Sequence, residues 1–280
     1  GNVIGAGPAP QQIVPGLTIH AYGGPPSMQN YDANQGLGGG LIGDPHLLML
    51  NTGAQWTQAI NGELKVYRRY SETLVNTLLC RKLPVLRTVD VATQVESGSS
   101  LPFRRGSSCM ECHATMDPMA GAARKFLLAR SSYSNRTETN FVSVHGVDLR
   151  KIADSAPLPL APVNLQSFFS YQLQAPTGQL RMRDLDGNLV DISVDGLEQL
   201  GAAIAGLEDF YACMAKRYYE FLTGSSLNFF DPGSSSAPRL TPLEQQELAF
   251  VRTLGRELKT HQRPRDIIQR ILESPNYRKK

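Results

Sequence analysis

The chain has 280 residues, 41% of them hydrophobic, which is enough for one large core or two modest ones. Its 28 basic and 25 acidic residues give a formal net charge of +3 without a concentrated basic stripe, so composition excludes nucleic acid as the expected partner. No apolar run approaches the ~20 residues that a membrane-spanning helix needs, so no transmembrane segment is expected.

The first predicted region, residues 1–53, is an irregular or extended arm. It is rich in Gly, Pro, Asn and Gln, and the runs 23–26 and 36–40 forbid long helices. An arm of this kind suits wrapping around a neighbouring subunit, which would give a homo- or hetero-oligomer. The sequence begins with Gly1 rather than methionine, which fits a processed N-terminus.

The second predicted region, residues 54–177, contains one clear helix, a central cysteine motif and a loop insert. Apolar residues recur at three- and four-residue steps over 63–79, and Pro84 follows the end of this predicted helix. Residues 131–177 carry many Ser, Asn, Thr and Pro residues, so we expect loops there with little regular structure.

The third predicted region, residues 178–280, begins with a β-hairpin and continues as helices. Apolar and polar residues alternate over 178–194, with the turn at 186–188. Apolar residues then recur at helical spacing over 196–205 and 207–222. The pattern predicts a mainly α protein with one small β-hairpin.

Signals for helix ends are strong in the last part of the chain. Gly224 is a natural helix stop, and Thr241 with Glu244 forms the pattern of a capping box at a helix start. A short final helix is predicted over 265–273. Its inward-facing residues are expected to be Ile267, Ile268, Ile271 and Leu272.

The segment Cys109-Met110-Glu111-Cys112-His113 is the sharpest chemical signal. Two thiols separated by two residues can add to the two vinyl groups of a haem, and the adjacent histidine can then supply an imidazole nitrogen to the iron. The motif therefore predicts one covalent haem c held by Cys109 and Cys112, with His113 as the axial ligand.

Three other interpretations of the cysteine pair stay open. It could be half of a zinc site, although a structural zinc site needs four ligands and no second close Cys or His pair exists. It could be a redox dithiol, although no strand–helix unit of the thioredoxin type precedes it. It could also be a simple structural disulfide.

The second axial ligand of the iron is not fixed by the sequence. Met116 lies one helical turn beyond His113, on the same side of the haem, and is too close to reach the opposite face of the iron. Met119 has a similar problem, although a turn at Asp117-Pro118, where we expect the helix of the motif to end, would redirect it. Met182, in the predicted hairpin, and His145, in the insert, are far enough away to fold over, and an open site is a further option. Methionine would favour a higher reduction potential and histidine a lower one, whereas an open site would permit ligand binding or peroxide chemistry.

The segment 109–118, CMECHATMDP, resembles the haem motif of planctomycete-type cytochrome c proteins, which are exported bacterial proteins with tandem domains of unknown function. The resemblance covers roughly residues 60–280, interrupted by an unmatched insert near 131–176. The further matching features are Leu78 to Cys80, Leu83-Pro84, the hairpin 178–195, the residues Phe210, Cys213, Tyr219 and Gly224, and the C-terminal segment 265–277.

This resemblance implies a cytochrome c-like haem segment, a C-terminal helical bundle and a disulfide between Cys80 and Cys213 that ties the first helix to the bundle. It also implies export to the periplasm or the extracellular space. From the predicted haem we expect an electron carrier rather than an enzyme, with redox proteins or neighbouring subunits as partners. Two alternatives stay open: a structural or assembly subunit of the cell envelope whose haem is structural, and a haem peroxidase-like enzyme.

Overall fold

The computed structural model describes residues 12–14, 17–18, 38–44, 47–48, 51, 67–124, 126–134, 140–148, 174–234 and 237–278. Most of the predicted arm, the start of the helix predicted from residue 63, and most of the insert lie outside these residues. The arm residues that are described include a short antiparallel pair, β1 (Gln12–Val14) and β2 (Leu17–Thr18), and a 3-10 helix, Gly40–Gly43.

The described residues are mainly helical, as predicted. Two further 3-10 helices are Ala92–Gln94 and Pro102–Arg105. The α-helices are α1 (Arg68–Leu78), α2 (Thr88–Val91), α3 (Ser107–Gly121), α4 (Gly196–Gly206), α5 (Glu208–Thr223), α6 (Pro242–His261), α7 (Pro264–Glu273) and α8 (Pro275–Arg278). No helix in the described ranges is both long enough and apolar enough to cross a membrane.

The predicted β-hairpin is present as β5 (Thr177–Arg183) and β6 (Leu189–Asp195). The strands are antiparallel, with Thr177 opposite Asp195 and Leu180 opposite Ile192. Gly187 in the turn has φ +82°, a left-handed conformation that glycine adopts without a steric penalty.

The prediction of loops over 131–177 is wrong for the first part of that segment. Two antiparallel strands, β3 (Phe126–Ser134) and β4 (Asn140–Asp148), form a second hairpin there. The prediction weighted the high Ser, Asn and Thr content. It missed that Val142 and Val144 alternate with polar residues, which is the pattern of a strand.

Apolar residues form two main clusters. The first joins α1, α3, α4 and the β5–β6 hairpin, and its fully buried members include Tyr70, Leu74, Met119, Leu180 and Leu200. The second lies among α5, α6 and α7, and includes Ala215, Tyr219, Val251, Leu254 and Ile271. In a third, smaller cluster Leu86 and Val91 pack against Met110 and Ala114 of α3.

The predicted signals for helix ends are confirmed, but the prediction that Leu272 faces inward is wrong. Thr241 accepts a hydrogen bond from the Glu244 backbone at the start of α6, and Gly224 ends α5 in a left-handed conformation. In α7 Ile267 and Ile271 are buried, whereas Leu272 is 37% exposed. Residues four apart share one helix face, and Leu272 lies about 100° around the helix from Ile271.

Candidate functional site

Helix α3 carries the whole cysteine motif. Its side chains at Met110 and Ala114 are buried in the third cluster, which holds the helix against the 86–91 segment. The thiol of Cys109 is exposed, the thiol of Cys112 is half-buried, and both are free. The helix therefore presents two unpaired thiols within one turn of each other.

Pro118 lies inside α3, and the helix continues to Gly121, so the expectation that Asp117-Pro118 ends the helix is wrong. Proline has no backbone N–H, so α3 lacks one helical hydrogen bond at Pro118. This position is one turn before the end of the helix, where α3 packs against β5. Thr115 donates a hydrogen bond to the Arg181 carbonyl (2.8 Å). A Cβ atom at Gly178 would lie 2.7 Å from the Pro118 carbonyl oxygen, so only glycine allows this close approach.

The imidazole of His113 has a defined position. The side chain is 19% exposed, and its ring stacks on Phe103 with a centroid separation of 4.0 Å and an interplanar angle of 22°. Its Nδ1 lies 3.4 Å from Oδ1 and 3.3 Å from Oδ2 of Asp117, one turn further along the helix. The ring is thus held on one face by an aromatic side chain and at one nitrogen by a carboxylate.

Arg68 at the start of α1 contacts both neighbours of His113. Its Nε donates to Asp117 Oδ1 at 2.5 Å and its Nη2 donates to Oδ2 at 3.1 Å, a two-pronged ion pair. The guanidinium carbon also lies 5.0 Å from the centre of the Phe103 ring. We call Arg68, Phe103, His113 and Asp117 the imidazole cluster.

The environment of Cys112 favours the protonated thiol. Burial raises the pKa of this thiol, and the negative charges of Glu111 and Glu72 raise it further. Cys112 is therefore not an activated thiol. In the described residues a 3-10 helix, Pro102–Arg105, directly precedes α3, where a thioredoxin-type unit would have a strand.

The other two interpretations of the cysteine pair also lack support in the described residues. Cys109 and Cys112 do not form a disulfide. Within that part of the chain, no group of three or more His, Cys, Asp or Glu side chains could hold a metal ion, so a zinc site built on this pair would lack ligands there.

The two predicted second axial ligands, Met182 and His145, lie on different hairpins. Met182 lies on β5, opposite Val190 of β6, and is fully buried in the first cluster. Met119 on α3 is fully buried in the same cluster. His145 lies opposite Ala129 on β4, and its side chain lies outside the described part of the structure. Met182 and His145 stay predictions.

Cys80 and Cys213 form the disulfide that the resemblance implies, with a Cα–Cα distance of 5.2 Å and a sequence separation of 133. Cys80 follows the end of α1 and has φ +52°, and Cys213 lies within α5. The bond ties the first helix to the C-terminal bundle, as expected.

Sequence reasoning missed the neighbours of His113. The His113–Asp117 spacing of four residues on a predicted helix was a usable signal, because side chains four apart face each other. Arg68 and Phe103 gave no such signal, since Arg68 is 49 residues from Asp117 and only the packing of α1 on α3 brings them together.

No family model matches the chain, and no curated protein or solved structure does so either.

Proposed function

We propose that this protein is an exported, monohaem c-type cytochrome-like protein that transfers electrons, with one haem attached through Cys109 and Cys112 and His113 as axial ligand. The observation that carries the proposal is the state of the four cysteines. Cys80 and Cys213 are consumed by a disulfide, whereas Cys109 and Cys112 are free on the helix that holds His113.

The donor set fits the chemistry of a c-type haem. Two accessible thiols can form the two thioether bonds, and the adjacent imidazole is a common axial ligand. Because Asp117 engages Nδ1 of His113, Nε2 is the nitrogen left for a metal. When bound, the haem would supply one reversible electron through its iron.

Apolar surface near the motif also fits a porphyrin. Val89 on α2 is 72% exposed and Leu101, just before the 3-10 helix Pro102–Arg105, is 45% exposed. Both segments pack against α3. A flat apolar ligand held on α3 would cover exposed apolar side chains on the segments that pack against this helix, which removes them from water.

The disulfide supports an oxidising compartment, which agrees with export to the periplasm or the extracellular space. We propose other redox proteins, or neighbouring subunits carrying their own haems, as partners. In this role the chain holds its cofactor at the surface, where the exposed Cys109 lies, and electrons need to cross only a short distance to a docked partner.

The test is expression in a host that attaches haem c, followed by intact mass and a reduced visible spectrum. We expect wild-type protein with one covalent haem and a c-type reduced spectrum. The double variant C109S/C112S should carry none, and C80S/C213S should keep the haem because its cysteines lie elsewhere. Haem-free wild-type protein from a host whose control cytochrome is loaded would refute the proposal.

A haem enzyme of the peroxidase type is the second candidate, and the burial of Met182 favours it. Met182 is fully buried with Leu180 and Met119, so ligating the iron would require it to leave the core. An iron without that ligand would be open to small molecules. Rapid binding of cyanide to the ferric protein would favour this candidate over a simple electron carrier.

A further inference from the structure

We infer that Asp117 and Arg68 act together as positioning residues for the His113 imidazole and set the reduction potential of the iron that it would bind. This inference rests on the proposed function and goes beyond it. It assigns a role to two residues outside the CxxCH motif, and the structure brings them together from α1 and α3.

Asp117 contacts the imidazole of His113 directly. Both carboxylate oxygens lie within 3.4 Å of Nδ1, and the two residues are one helical turn apart on α3. A metal-binding histidine commonly donates its other ring N–H to a carboxylate, which fixes the tautomer and makes the ligand more basic. With Nδ1 facing Asp117, Nε2 is the ring nitrogen left to bind a metal.

Arg68 in turn contacts Asp117. The guanidinium donates to both carboxylate oxygens, at 2.5 and 3.1 Å, and so competes with His113 for the same lone pairs. Its positive charge offsets part of the carboxylate charge. Arg68 also lies over the Phe103 ring that stacks on His113. One residue of α1 therefore restrains both the carboxylate and the ring plane.

Asp117 and Arg68 should shift the reduction potential in opposite directions. A negative charge near the iron stabilises the ferric state over the ferrous state, and a more basic axial ligand acts in the same direction. Asp117 should therefore lower the potential. Arg68 should raise it, because it is a cation and because it draws the carboxylate away from the imidazole.

The experiment measures midpoint potentials of haem-loaded protein by spectroelectrochemical titration, with haem content checked by mass. We expect Asp117→Asn to raise the potential by about 59 mV, which is a tenfold change in the ferrous-to-ferric ratio. Arg68→Gln should lower the potential. Opposite shifts from two residues in one ion pair would not arise from simple loosening of the α1–α3 contact.

Glu111→Gln is the matched control. It removes the same charge from the same helix, but Glu111 accepts a hydrogen bond from Thr88 (2.5 Å) and makes none with the imidazole. We expect a smaller shift than for Asp117→Asn. Equal shifts for the two variants would overturn the inference, because charge alone would then account for the effect.

The remaining outcomes separate this inference from the proposed function. Wild-type protein without haem refutes the proposed function, and the inference falls with it. Loaded protein whose potential is unchanged by Asp117→Asn overturns the inference alone. If Asp117→Asn does not fold, a lowered potential in Arg68→Gln supports the inference and an unchanged or raised potential overturns it.

Discussion

Arg81 and Asp209 form an ion pair with side chains only 2% and 3% exposed, at an Nη1–Oδ1 distance of 3.4 Å. The pair is also tied to the hairpin: Arg81 donates to the Arg183 carbonyl, and the Leu185 N–H donates to Asp209. Taking both charges out of water costs more than this long contact returns. Burial accordingly raises the pKa of Asp209 to about 6 and lowers the pKa of Arg81.

This pair makes stability depend on pH with a definite sign. The folded pKa of Asp209, about 6, lies above its ordinary value of 3.8, so between these values the folded state holds a proton that the unfolded state has lost. The contribution of Asp209 to the free energy of unfolding is therefore fully present below pH 3.8. It falls by up to about 3 kcal/mol as the pH rises through about 6.

The check is denaturant unfolding of wild-type protein and Asp209→Asn between pH 4 and pH 7. The asparagine cannot ionise, so subtracting its curve cancels the opposing contributions of other carboxylates, such as Asp90 and Asp231. We expect the wild type to lose stability relative to the variant as pH rises. Parallel curves would show that Asp209 ionises normally in the fold.

Met182 provides a second test at the residue scale. Because its side chain is fully buried in the first cluster, Met182→Leu should keep the core filled and cost less than about 1.5 kcal/mol. We expect the visible spectrum and the potential of the loaded protein to stay unchanged. A new high-spin spectrum in this variant would instead identify Met182 as the second axial ligand.

At the scale of elements, α5 and α6 cross in close contact at Gly255. A Cβ atom there would lie 2.6 Å from the Ala212 Cα and 2.7 Å from its backbone nitrogen, so the two backbones leave no room for a methyl group. Small residues at a helix crossing permit this close approach.

Gly255→Ala should therefore destabilise the protein by about 1–3 kcal/mol, even though alanine is the better helix former. Gly206, at the end of α4, is the matched control, because nothing lies within 4 Å of its added Cβ. We expect Gly206→Ala to change the free energy of unfolding far less. Equal effects from both substitutions would show that the crossing is not tightly packed.

The disulfide is the other element-scale constraint. It follows α1, which lies in the first cluster, and reaches α5, which lies in the second. Closing a loop of 133 residues should stabilise the fold by ~3–5 kcal/mol in the chain-entropy account. C80S/C213S should lose this amount in denaturant unfolding, and a loss below 1 kcal/mol would show that noncovalent contacts already hold the two clusters together.

At the scale of the whole molecule, local signals predicted most of the framework. The Thr241 capping box, the Gly224 stop and the 186–188 turn each depend on neighbouring residues, so the sequence alone suffices to read them. The β3–β4 hairpin was missed because Ser and Thr suit both loops and strands. The extension of α3 past Pro118 was missed because it depends on packing against β5.

The candidate site likewise combines features that neighbouring residues determine with contacts between distant segments. The thiols and His113 are adjacent in sequence, and their chemistry follows from spacing alone. The contact of Arg68 with Asp117 joins segments that are distant along the chain, and so do the ion pairs around the hairpin, such as Arg183 with Asp90 and Arg87 with Asp231. Partners of this kind emerge only when the elements pack.

The most direct test of the haem assignment is mass spectrometry of one tryptic peptide from protein made in its native source. Trypsin cleaves after Arg105 and Arg124, and the peptide 106–124 then contains Cys109, Cys112 and His113 together. We predict that this peptide carries one added haem and does not react with an alkylating reagent. A peptide alkylated at both cysteines, or one with its two sulfurs joined to each other, would contradict it.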